Sequence, residues 1–215
     1  MEQRKIRVIG TGQAAKSPDF VILKLNLSAF NAEYSSALKI AAQQVEILRE
    51  SIVDAGFSAE DLKTAAFNVE TKYEREEFRD GNAKKFRETL AGFDCRHDLT
   101  LSFDFDAEKL DSALSAVKSC LSQPKISVIF TLKDAASLSD KLLKSAAKDA
   151  QRKAKVLCSA SGVKLGNLLE INYVPTDIAV QKEIFAGSSD DSAFNFRPED
   201  LIATDTAEFL WELVD

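Results

Sequence analysis

The sequence predicts an α+β protein of about seven mostly antiparallel strands, with three helices packed on one face and strand–helix–strand units repeated along the chain. Three observations predict it. Phe93, Cys95, His97, Leu99, Leu101, Phe103 and Phe105 alternate with Asp94, Arg96, Asp98, Thr100, Ser102 and Asp104, giving one dry and one wet face. That is how a strand of a half-solvated antiparallel sheet reads. Leu143, Ala147, Ala150, Ala154, Leu157 and Ser161 recur at steps of four and three, which a helix gathers on one nearly flat face. A strand–helix–Gly–strand order appears near 21–69 and again near 126–173, with a strand–helix–strand piece over 93–130 between them.

The elements follow in order. Ile6 to Gln13 reads as a strand interrupted by Gly10 and Gly12, at which a kink or bulge is expected. Pro18-Asp19 turns the chain, and Phe20 to Ser28 is a second strand with Val21, Leu23, Leu25 and Leu27 on one face. A helix runs from Tyr34 to Ala55 on the stripe Leu38, Ala41, Val45, Leu48, Ile52 and Ala55, and Gly56 ends it. Phe67 to Phe78 is a strand, and Asp80-Gly81-Asn82 is the hairpin turn into the alternating strand described above. Asp106 caps a short helix carrying Leu110, Leu114, Val117 and Leu121, closed by Pro124. Ile126 to Leu132 is the next strand. Ser137 with Asp140 reads as a capping box opening the alanine-striped helix, and Gly162 follows that helix. Leu168 to Val174 and Ala207 to Val214, with Trp211, are the remaining strands. Residues 181–200 read as a polar loop in which Phe185, Phe194 and Phe196 hint at docking.

Composition narrows the classes of function. At 215 residues the chain can bury a sizeable core in one domain, or at most two intimate ones, and is read as a single domain over 1–215. A net charge of −6 leaves no basic surplus for phosphates, so no nucleic-acid partner is expected. No apolar run approaches the roughly 20 residues of a membrane-spanning helix. Met1-Glu2-Gln3-Arg4-Lys5 leads straight into a strand without the apolar stretch of an export signal. Cys95, Cys120 and Cys158 cannot all pair within one chain and match no zinc or redox spacing. They read as buried reduced thiols, which fits the cytoplasm.

The candidate chemistry is sparse. His97 is the only histidine, so a site needing two is excluded; on the apolar face of its strand it reads as a satisfied core residue. Cys95 and His97 are neighbours at i and i+2, a poor geometry for a nucleophile and its base. Gly10-Thr11-Gly12 lacks the third glycine and the following helix of a dinucleotide fingerprint. The mixed-charge run Lys72–Arg87 flanks a hairpin tip and reads as a solvated β-arm. Such an arm has unpaired edges that can serve subunit contact. No catalytic, cofactor-binding or metal-binding residue is assigned, and no cofactor is expected.

Taken in order, several landmarks resemble the SIMPL-domain family. These are Val8-x-Gly10-x-Gly12 with Pro18-Asp19, the alanine-bearing helix ending at Gly56, and Gly92-Phe93 ahead of the alternating strand. Ile126–Asp134 leading to Ala146-Ala147-x-x-Ala150-x-x-x-Ala154, with Gly162 and Leu165-Gly166, completes them. The likeness spans roughly residues 5 to 174 plus a final strand at 207–214, with 181–200 as an inserted loop. The resemblance implies a domain of unknown function whose members are exported bacterial proteins of the periplasm or envelope, surface antigens among them, and a mammalian protein that binds a signalling kinase. Some members are similar to large ring- or barrel-like homo-oligomers, and the resemblance carries over no catalytic residue. The expectation is a non-enzymatic, self-associating protein linked to the envelope or to stress tolerance. The alternative is an adapter that binds a protein partner through loop 181–200; an enzyme using His97 or Cys95 stands third.

Overall fold

The structure, a computed structural model, describes residues 4–80, 83–175, 181–185 and 196–214. Twelve elements follow in chain order. They are β1 (Lys5–Lys16), β2 (Phe20–Asn31), α1 (Tyr34–Asp54), a 3-10 turn (Ala59–Asp61), β3 (Leu62–Asp80), β4 (Ala83–Asp104) and α2 (Ala107–Ser119). Then come β5 (Lys125–Thr131), α3 (Ala136–Ala160), β6 (Lys164–Asn172), β7 (Gln181–Phe185) and β8 (Leu201–Val214). The class is α+β, and the strands divide between two sheets. One has the order β1-β8-β6, the other β3-β4-β2-β5-β7. Two compact units result, the first built from Met1–Asp19, Thr131–Lys182 and Pro198–Asp215, the second from Phe20–Phe130 and Glu183–Arg197. Both strand–helix–strand runs are present as β2–α1–β3 and β5–α3–β6, but α3 packs in the first unit, against β1 and β8.

In the first unit, β8 is the central strand and pairs antiparallel with β1 from Lys5↔Glu212 to Lys16↔Leu201 without interruption. No bulge occurs at Gly10 or Gly12, where the register runs through unbroken, so that expectation is corrected. The glycines serve another purpose. A Cβ on Gly10 would run into the Ala146 carbonyl oxygen and one on Gly12 into that of Leu142. Their bare backbone therefore lets α3 lie directly on β1. The buried stripe of α3 is Leu138, Leu142, Ala146, Ala150, Ala154 and Cys158. It keeps Ala150 and Ala154 of the expected stripe, replaces Leu143, Ala147 and Leu157 by the adjacent Leu142, Ala146 and Cys158, drops Ser161 and adds Leu138, leaving Leu157 50% exposed. Asp134, not Ser137, caps the helix, its Oδ1 accepting from the Ala136 and Ser137 amides at 3.0 and 3.2 Å.

In the second unit, Val21, Leu23, Leu25 and Leu27 of β2 meet Leu99 and Leu101 of β4 and Val128 and Phe130 of β5, under Leu48, Ile52, Leu110, Leu114 and Val117 of the helices. The α1 stripe matches the expected one except at its ends, where Ala37 is buried instead of Leu38. The Asp106 cap holds, accepting from the Glu108 and Lys109 amides. Helix α2 stops at Ser119, so Leu121 is 86% exposed instead of packed. The expected loop 181–200 contains β7, which joins the sheet beside β5, and Phe196 packs with its ring centroid 6.1 Å from that of Phe130. Phe194 and the stretch 186–195 lie outside the described residues, as do Gly81 and Asn82 of the expected hairpin turn; Asp80 and Ala83 pair across the latter.

Candidate functional site: the β3–β4 arm and its root

The β2–β4 ladder ends at Asn31↔Phe93, while β3 and β4 continue past it as a pair. From Tyr73↔Leu90 to Asp80↔Ala83 they form a two-stranded arm of eight residue pairs, about 25 Å long at the usual rise per residue. This is the β-arm expected from the mixed-charge run. Its departure point is Gly92, at φ 154, where a Cβ would stand 2.5 Å from the Asn31 carbonyl oxygen. A register shift between Lys72 and Tyr73 follows at the same level.

An isolated two-stranded ribbon is marginal in water, so the arm depends on its root. On the helix side, Phe93 meets Tyr34 edge-on at 5.3 Å, and Cys95 and Val69 pack with Ala37 and Ala41 of α1. On the opposite side, Asp94 is buried and accepts from Ser28 Oγ at 2.9 Å. Lys72 Nζ lies 3.7 Å and Arg96 Nε 3.5 Å from the Asp94 carboxylate. Glu70 draws on the same two cations, at 3.0 Å and 3.7 Å. Two acids and two bases from neighbouring strands thus lock the register where the arm leaves the sheet. Sequence reading placed Asp94 and Arg96 only on a wet face. The signal that would have found the network is the hairpin register, which sets Glu70 opposite Asp94.

Paired residues of antiparallel strands share a face, so Tyr73, Arg75 and Glu77 lie beside Leu90, Glu88 and Phe86. Three of the six are large apolar groups left in water: Tyr73 is 63% exposed, Phe86 53% and Leu90 52%. The Arg75 guanidinium sits 4.0 Å over the Phe86 ring, and Lys84 Nζ is 2.7 Å from Glu77.

His97 and Cys95, the other candidates, stand on β4 outside the eight pairs of the arm. His97 is half-buried, its Nε2 3.0 Å from Thr64 Oγ1 and its ring 5.1 Å from Phe67. Burial holds its pKa below the ordinary value, against the pull of Asp98. Cys95 is fully buried, and burial with the adjacent Asp94 pushes its thiol pKa up, the wrong direction for a nucleophile. All three cysteines are free and buried. On the second unit's sheet, away from the helices, Lys24, Asn26, Asp98, Thr100, Lys125 and Ser127 line a cleft of about 500 Å³. Asn26 Nδ2 donates to Asp98, and Ser127 Oγ donates to Glu183 at 2.7 Å. That bond and Lys24 hold the Glu183 pKa below its usual range, which makes it a weak base for activating the serine. Among the described residues no group of three His, Cys, Asp or Glu is placed to hold a metal, and no helix is long and apolar enough to cross a membrane.

The model of the SIMPL family, described as a protein of unknown function, matches residues 6–209, nearly the whole chain. The chain belongs to the SIMPL family. That span takes in both units, so the arm, its root and the β1–α3 contact all lie within the SIMPL match. A comparison with curated proteins finds no match.

Proposed function

We propose that this SIMPL chain is a non-enzymatic protein that self-associates through the β3–β4 arm, in a role tied to the bacterial envelope or to stress tolerance. The arm carries the reading. A ribbon of eight pairs projects beyond its sheet with three large apolar side chains in water, from a root clamped on both faces. Exposed apolar groups on a strand pair are a liability in a monomer and an asset in an assembly. Membership of a family of unknown function accords with the reading. So does the candidate chemistry, in which burial lowers the His97 pKa and raises that of the Cys95 thiol, and the Ser127 hydrogen bond lowers that of Glu183.

Light scattering on the full chain tests it. The intact protein is expected to run as a multimer, and a version shortened between Lys72 and Gly92 by a tight turn as a monomer. A strict monomer at high concentration for the intact chain overturns the proposal. The adapter reading through residues 181–200 has less support, because two of its described residues serve the fold: Phe196 packs on Phe130 and Glu183 binds Ser127.

A further inference from the structure

The arm has two lateral edges, and their charges differ. On the β3 side, Tyr73-Glu74-Arg75-Glu76-Glu77 sets three carboxylates within four residues. On the β4 side, Lys84-Lys85-Phe86-Arg87-Glu88 runs from cationic to anionic. Beyond Phe93 the β4 side has lost its β2 neighbour, and among the described residues no other strand takes that place. The register from Tyr73 to Asp80 has no irregularity, so the ribbon is regular enough to extend.

We propose that two copies of this chain join through the β4 edges of their arms, as an antiparallel pair centred on Phe86. The inference rests on the self-association reading above and specifies its interface. In a two-fold antiparallel pairing of identical strands, paired residues share a face, so the axis must pass between the two copies of a residue that meets itself. Centring on Lys84, Lys85, Arg87 or Glu88 would set a charge against its own copy. Phe86 is the one position of the five that avoids this. The same register places Lys84 opposite Glu88 of the second copy, twice by symmetry, on the face where Phe86 meets Phe86. On the other face the register sets Lys85 opposite Arg87 of the second copy, with Glu76 opposite Arg87 in the ladder of each arm. The product is a four-stranded ribbon, which covers both Phe86 rings and removes both β4 edges.

Charge exchange tests the pairing without touching the core. K84E and E88K each turn two attractions into repulsions and are expected to weaken self-association about tenfold or more in sedimentation equilibrium. The double variant K84E/E88K restores the attraction and is expected to associate within a few-fold of the parent. An equimolar mixture of the two single variants is also expected to associate, because one copy then offers carboxylates where the other offers ammonium groups. K84E loses the Lys84–Glu77 ion pair in both the single and the double variant, so recovery in the double or the mixture is not due to that pair. Self-association indifferent to all three variants, or singles that weaken it without rescue, overturns this pairing and leaves the arm reading standing. A monomeric parent chain overturns both.

Discussion

Strand β1 and the β4 side of the arm are both sheet edges, and they are finished in opposite ways. Beside β1 lies α3, brought close by Gly10 and Gly12, and it occupies the edge's own hydrogen-bonding groups. The Thr11 amide donates to Asp149 Oδ2 at 3.0 Å, and Lys153 Nζ donates to the Ile9 carbonyl at 3.2 Å. Among the described residues no helix covers the arm, and Tyr73, Phe86 and Leu90 stand in water. The difference teaches that an edge is closed by whatever can approach it. Two missing side chains on β1 admit a helix whose charged groups replace a neighbouring strand; long side chains on the arm keep everything but another strand at a distance.

Four experiments break or sharpen that contrast. The largest effect belongs to Gly12→Val, whose side chain meets the Leu142 carbonyl; a loss of about 3 kcal/mol or more is expected in urea denaturation. Thr89→Val on the arm is the control, expected within about 0.5 kcal/mol of the parent, and equal losses at the two sites would erase the distinction. Next, replacing Tyr73, Phe86 and Leu90 together by serine is expected to leave thermal stability nearly unchanged while raising the self-dissociation constant about tenfold or more. A collapse of the fold instead would show the arm's apolar face to be internal packing.

Third in size is Asp149→Asn. Hydrogen bonds from Lys153, Thr11 and Arg152 hold the Asp149 carboxyl well below the usual carboxylate range. A depressed folded pKa stabilises above the unfolded value, about 3.9, and that contribution fades as pH falls below it. The variant is therefore expected to melt a few degrees lower than the parent at pH 7, with the gap narrowing towards pH 3. A gap that stays constant over that range would remove the charge from the edge closure. The smallest effect is the imidazole of His97, whose NMR titration midpoint is expected below 6.5 because burial disfavours its cation. A midpoint above that value would mean that Asp98 dominates.

Much of this was legible in the residues. The alternation over 93–105 fixes β4 and its buried face, since a period of two leaves no freedom. The α1 stripe is equally plain because bulky Val45, Leu48 and Ile52 stand among charged residues. In α3 the pattern is ambiguous, for Ala146 and Ala147 are identical and adjacent; only the position of β1 decides which faces inward. Gly10 and Gly12 were visible, but a glycine's sequence signature is the same for a kink and for a close approach. Strand β7 is short and sits in a polar stretch, so it surfaces only once β5 offers it an edge. The arm was read from its charges and its turn, whereas the four-charge root needed the register.

The position of β8 has a consequence for how the molecule is made. It is the middle strand of the first unit's sheet, and Lys5 of β1 pairs with Glu212 of β8. On a ribosome, β1 leaves the exit tunnel well ahead of its ladder partner, on the order of 10 s earlier at usual rates of synthesis. The second unit's β2–β5 are synthesised during that interval, while the Gly10–Gly12 segment waits without its strand. Loss of β8 removes the partner of both β1 and β6, so termination ahead of it takes down a whole sheet.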